Sequence, residues 1–349
     1  MTDNKPVITA YALHWHIHTS GAFHDLLVKP LAPYADIRFV GWEYYEDLPL
    51  PEADTVTIFC QYPPPESWLK QAKSPMVWIP MADHDLYPPS IAHHPHVRVV
   101  AFSHEVATWA ENLGLPYLRL QYFMNPEDFP QATFDDGLVM LYWNRLAFYR
   151  PRFLRRMCKV LGMKRVIFRA RPDESLAKYY NYRLPRQMNG TVVEMHDELT
   201  SRDDFLAMMR RSNVFLTPRR KEGVGFVMLE ALASGCAVFG YDAPTMNEYI
   251  ESGVNGFLFP EPQPETRLNK MFIGLFRKIF SGLFYLKHGK FPLHLDALTF
   301  RDWEALRQLD LAQLGANARR TQAEGYRQWV AQIPEYAEFV LKNHKEKSQ

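Results

Sequence analysis

The sequence predicts an α/β protein of two domains, each a parallel sheet flanked by helices. Three observations predict it. The chain has 349 residues, more than one ordinary core accommodates. Short apolar runs alternate with helical segments, the pattern of strand–helix–strand crossovers. One stretch rich in Pro, Asp and Asn, FMNPEDFPQATFDDG at 123–137, interrupts that alternation, which then restarts.

The first domain is assigned to residues 1–130. Its strands are expected at 7–13, 37–40, 55–60, 76–80 and 97–102. Helical patterns fall between them, from Ala22, at 66–72 and at 105–113. The second domain is assigned to 131–325. Its strands are expected at 138–142, 165–170, 191–195, 214–217 and 237–239. A basic helix is expected at 151–161, and another helix opens at Ser201 with Asp203 and Asp204 in its first turn. Residues 326–349 form a last helical segment. In open parallel sheets ligands bind beyond the carboxyl ends of the strands, so two such sheets facing each other place two ligands in one cleft.

Composition narrows the function. Forty basic residues nearly cancel 39 acidic ones, which argues against a general nucleic-acid binder. Cys60, Cys158 and Cys236 form no CxxC pair, so a disulfide framework is not expected and a reducing cytoplasm fits. No leader peptide and no run of eighteen apolar residues is legible. His14, His16 and His18 alternate and on a strand would share a face, a possible Zn²⁺ arrangement. No cysteine or carboxylate cluster completes the set, and no metal is expected. The stretch 266–295 contains no acid and six cations, with Phe272, Phe276, Ile279, Phe280 and Leu283 on one helical face. Two readings stand: a surface helix packed on its own domain, or attachment to an anionic membrane surface.

The informative segment runs from Ser212 to Phe259. A strand ends at Pro218, a loop holds Glu222, Gly223, Val224 and Gly225, and a helix starts near Phe226. Glycines there let backbone N–H groups approach a ligand, and the helix start offers free N–H groups and a positive dipole end to a diphosphate. Glu222 and Glu230, eight residues apart, offer carboxylates to hydroxyls on two parts of one elongated ligand.

This segment resembles the signature of retaining GT-B glycosyltransferases of the family 4 type. It has Pro218, then Glu222-Gly223-Val224-Gly225-Phe226 and Glu230 in an E-x7-E frame. Ala233-Ser234-Gly235-Cys236-Ala237-Val238, Asn247-Glu248-Tyr249-Ile250 and Gly253-Val254-Asn255-Gly256-Phe257-Leu258 complete it. Asn144-Arg145-Leu146 looks like the family's G-R-[FL] element, with Asn in place of Gly. The resemblance implies two Rossmann-like domains across a cleft and a UDP- or GDP-sugar donor. It also implies a saccharide or lipid-linked acceptor, as in bacterial surface polysaccharide assembly, and no metal or other cofactor. Glu222 is implied to hold the donor sugar, and Glu230 the ribose. Arg145 and Arg150 (or Arg152) are implied to hold the pyrophosphate. His84 resembles the position of a histidine beside donor sugar and acceptor, with Asp83 and Asp85 as secondary candidates. The first domain departs from the pattern: Thr19-Ser20-Gly21-Ala22 keeps a single glycine, Gly21, for close approach to the donor. Leu314–Arg319 resembles the family's late helix, and 325–340 the terminal helix that crosses back to the first domain. The rival readings are a GT-B phosphorylase or inverting transferase, and a non-catalytic or partner sugar-binding protein of the same fold.

Overall fold

A computed structural model describes residues 5–19, 21–42, 55–71, 76–83, 91, 94, 96–145, 149, 151–170, 183–197, 201–260 and 300–345. His84, Asp85, Arg150 and the stretch 266–295 lie outside the described residues.

The first sheet holds β1 (Val7–Leu13), β2 (Asp36–Trp42), β3 (Val56–Gln61), β4 (Met76–Pro80), β5 (Val97–Ala101) and β6 (Tyr117–Arg119). Their order is β2-β1-β3-β4-β5-β6, and every pairing is parallel. β4 and β5 are buried at every residue; β4 reads as an unbroken apolar run, and β5 is interrupted only by Arg98, whose Nη1 donates to the Phe339 carbonyl at 2.6 Å. The crossovers carry α1 (His14–Thr19), a π turn (His24–Val28) leading into α2 (Lys29–Leu31), α3 (Glu66–Gln71) and α4 (His104–Asn112).

The second sheet holds β7 (Val139–Trp143), β8 (Arg165–Arg169), β9 (Gln187–Met188), β10 (Thr191–His196), β11 (Val214–Leu216), β12 (Ala237–Tyr241) and β13 (Phe257–Phe259). Their order is β13-β12-β11-β7-β8-β10-β9, parallel except where β9 meets β10. Its helices are α5 (Pro151–Leu161), α6 (Arg202–Arg210), α7 (Phe226–Ala233), α8 (Met246–Tyr249), α9 (Phe300–Arg307) and α10 (Leu311–Lys345). α6 starts where its sequence indicates. The Ser201 side chain accepts from the Asp204 N–H, and the Asp204 carboxylate accepts from the Ser201 N–H.

Several expectations are corrected. β6, β9 and β13 were not predicted; each is a two- or three-residue edge strand, too short to show a period. β1 stops at Leu13, so His14, His16 and His18 sit on α1. Alternate residues of a helix are turned by roughly 200°, so the strand-like sharing of one face by alternate histidines is lost: His16 points away from His14. His14 instead packs against Gly41, and His16 meets Phe23 edge-on at 5.7 Å. Among the described residues no group of three metal-ligating side chains is present, and no helix is long and apolar enough to cross a membrane. The late and terminal helical segments are one continuous helix, α10, which passes residue 325 without a break and contains Pro334.

α10 ties the domains together. It contacts α7 and β12 in the second domain and α2 and β3 in the first. One face of each sheet drains into a single apolar cluster that runs from Ile8 and Ile58 through Trp329 and Tyr336 to Leu141 and Leu229. Two aromatics at the domain junction sit inside it: Tyr122 meets Trp329 at 5.4 Å, and Phe123 meets Tyr249 at 5.3 Å. Polar contacts fix the same junction. Glu248 accepts from the His104 N–H at 2.9 Å and pairs with Arg119, while Gln121 Nε2 donates to the Glu248 carbonyl at 2.7 Å.

Candidate functional site

The strand order of the second sheet reverses between β7 and β11. Chains leaving their carboxyl ends diverge and open a crevice there. Trp143, Asn144 and Arg145 leave β7, and the loop from Thr217 to Gly225 leaves β11, so the two segments singled out in the sequence meet at this point.

The loop is anchored from beneath. Thr217 is buried and its N–H donates to the Phe239 carbonyl at 2.9 Å. The Glu222 N–H donates to the Pro244 carbonyl at 3.3 Å, and the Glu222 residue is half-buried. Gly225 takes the N-cap of α7 in the left-handed region, φ 78°, where a side chain is strained. α7 has no capping side chain and no acid in its first turn. Its opening N–H groups and dipole therefore favour an anion. Gly223 lies against the first domain: a Cβ there would stand 2.9 Å from both Asp83 Oδ1 and Met81 Cβ. Val224 is buried in the shared core, and Phe226 stacks on Tyr122 of the first domain at 5.2 Å.

Glu230 is 2% exposed on the inner face of α7. Arg202 Nη2 donates to its Oε1 at 2.6 Å, while its buried Oε2 has no hydrogen-bond partner among the described residues. Burial pushes this carboxyl above its ordinary value, and the Arg202 guanidinium opposes the shift. Asp25 of the first domain is close enough to add to the rise. A buried acceptor of this kind is suited to a ligand hydroxyl.

Arg145 stands over the Trp143 ring at 5.2 Å, and Arg169 from β8 stands over it at 4.0 Å. Two guanidinium groups thus share one indole at the mouth of the crevice. Asn144 directly follows β7. It is fully buried, its N–H donates to the Arg169 carbonyl at 2.8 Å, and its Oδ1 accepts from the Tyr142 hydroxyl at 3.5 Å.

The first domain reaches the same loop. Arg219 Nη1 donates to Asp83 Oδ2 at 2.8 Å, and Lys221 Nζ donates to Glu105 Oε1 at 2.6 Å. Gly21 is exposed, and a Cβ there would meet nothing within 4 Å. Sequence reasoning missed Arg202, Arg169, Trp143 and Arg219. Only position was available to find them: Trp143 and Arg169 end strands whose carboxyl ends face the crevice, and Arg219 and Arg202 offered no signal of their partners.

Residues 175–271, which include Glu222 to Glu230, match the family described as glycosyl transferases group 1. A segment of 69 residues is 34% identical to the GtfA subunit of a UDP-N-acetylglucosamine–peptide N-acetylglucosaminyltransferase from Streptococcus pneumoniae. That match covers 20% of this chain and takes in only 14% of the streptococcal protein. Among solved structures, a glycosyltransferase from Rickettsia africae aligns with a TM-score of 0.58 at 14% identity, over 97% of this chain and 100% of that one. HepE from Anabaena, solved with UDP, aligns with a TM-score of 0.57 at 13% identity over the same shares. The fold is GT-B: two parallel-sheet α/β domains facing one another.

Proposed function

We propose that this protein is a retaining glycosyltransferase that moves a sugar from a nucleoside-diphosphate sugar to a saccharide or lipid-linked acceptor. The observation that carries the proposal is Glu230: a buried carboxylate oxygen without a partner, one helical turn inside the loop where a diphosphate is favoured. In this reading Glu230 takes the ribose hydroxyls, and the α7 N–H groups with Arg145 take the diphosphate. As the sugar–phosphate bond breaks, negative charge grows on the departing diphosphate. Those fixed donors stabilise it without a metal. Glu222 holds the sugar hydroxyls and steadies the cationic sugar. His84 and Arg150 are proposed to complete the site from the two domains, with Gly21 beside the donor. The names of the relatives support a UDP-sugar as donor, and bacterial surface polysaccharide assembly at the inner face of the cytoplasmic membrane is the proposed setting.

The test is a thermal-shift screen of UDP- and GDP-sugars, followed by transfer or hydrolysis with the best binder and determination of the product anomer. A ligand of the native state raises the melting temperature. Glu222→Gln is expected to lower turnover at least about 100-fold, the loss of some 2.7 kcal/mol of transition-state stabilisation. Unchanged transfer in that variant removes Glu222 from the mechanism. Nucleotide binding with no turnover of any sugar supports a binding protein instead.

A further inference from the structure

α5 is divided between core and charge. Phe153, Leu154, Met157 and Cys158 are buried, while Arg152, Arg155, Arg156 and Lys159 are exposed along its other side. The helix packs on the face of the second sheet opposite α7: its buried side chains join Met140 and Tyr142, whereas those of α7 join Leu141 and Phe215. Arg155, Arg156 and Lys159, past the first turn of α5, therefore stand on the opposite side of the sheet from α7.

α9 closes over them. The Arg156 guanidinium lies 4.8 Å from the centre of the Trp303 ring. Between the two helices and Asn189 of the β9–β10 turn is a concavity of about 360 Å³. Among the described residues Arg307 adds a fifth cation to the wall and Glu304 a carboxylate. Glu304 accepts from Arg307 at 3.1 Å, so it does not neutralise the helix opposite. Among the described residues Arg155 and Lys159 have no carboxylate partner. Like charges gathered in a concave site repel one another, and a bound anion relieves that repulsion.

We infer that this concavity is a phosphate-binding site separate from the nucleotide crevice, taking a phosphomonoester or phosphodiester on an organic carrier. Guanidinium forks pair two phosphate oxygens, and Lys159 adds a point charge. Val160 and Trp303, the latter 4% exposed, are the apolar residues on the wall. The volume falls in the range of small-molecule sites, about 300–1,000 Å³, and exceeds what a bare phosphate fills. A lipid headgroup and a soluble phosphate ester share this chemistry.

The test uses the full chain with UDP in excess, which keeps the first probe out of the crevice. Inorganic pyrophosphate is titrated by calorimetry. Phosphatidylcholine vesicles with and without phosphatidylglycerol are assayed by sedimentation. The variant is Arg155→Glu with Lys159→Glu; both side chains are exposed and Glu is a good helix former, so the helix persists. At least one probe is expected to bind, and binding is expected to fall at least tenfold in the variant. Binding to acidic vesicles alone identifies a headgroup, and binding of pyrophosphate a soluble ester. Failure of both probes, or equal binding by the variant, overturns the inference. The result does not depend on the transferase reading, since the loss of binding in the α5 variant locates the site whether or not UDP occupies the crevice.

Discussion

Arg202 and Glu230 form an ion pair of unequal members: the guanidinium is 59% exposed, the carboxylate 2%, and Nη2 lies 2.6 Å from Oε1. The carboxylate is thus held at one oxygen from the surface, while the other is buried without a hydrogen-bond partner among the described residues. The arrangement places a charge acceptor where α7 leaves the glycine loop.

Replacing Glu230 with Gln keeps the shape and removes the charge. UDP binding is expected to weaken about tenfold, roughly 1.4 kcal/mol, since hydrogen bonds to a carboxylate are the stronger kind. Stability moves the other way. Burial raises this carboxyl above its ordinary value. Such a group favours folding fully below its unfolded pKa, about 4.3, and that contribution is lost as pH rises through the raised folded value. The gain in melting temperature of Glu230→Gln over the wild type is therefore smallest near pH 4 and largest near pH 7, by scanning fluorimetry. A gap that shrinks with rising pH contradicts this.

Arg202→Ala leaves the buried charge of Glu230 without its neutralising partner. The expected cost is about 1–2 kcal/mol, toward the low end of the penalty for an unsatisfied buried group because Arg202 is largely solvated. Adding Glu230→Gln to that variant should recover most of the loss. Denaturant unfolding of the four proteins measures the coupling, and additive effects show that the pair does not act as one.

Gly223→Ala tests how the domains meet. The added Cβ would stand 2.9 Å from Asp83 Oδ1 and from Met81 Cβ, too close for either domain to stay in place. Gly223 has no left-handed backbone, so the loop itself accepts alanine. Secondary structure by circular dichroism is expected to be unchanged while turnover falls at least about tenfold, as a shift of the facing groups of roughly 1 Å suffices for that. Wild-type turnover shows that the close approach of the domains at Gly223 is not required.

Much of the candidate site was legible because it is local. Pro218, Glu222, Gly225 and Glu230 lie within one strand–loop–helix unit, and such a unit writes its glycine, its helix start and its carboxylate spacing directly into the chain. The histidines at 14, 16 and 18 show the limit of that reading. Alternation suits a strand, but β1 ends at Leu13 and the next residues turn into α1. Phe226 shows another limit: it belongs to the loop motif by sequence, yet its ring stacks on Tyr122 across the domain junction.

The sequence alone determined the two α/β domains, the positions of most of their strands along the chain and the strand–loop–helix unit around Gly225. These follow from period, glycine placement and helix signals within a few tens of residues. Tertiary structure decided which charges meet. Asp83 and Arg219 pair at 2.8 Å although 136 positions separate them, and Arg202 reaches Glu230 from a different helix. No local period specifies such contacts, because they arise only when two sheets and the long α10 bury one common core and bring distant loops to the same crevice.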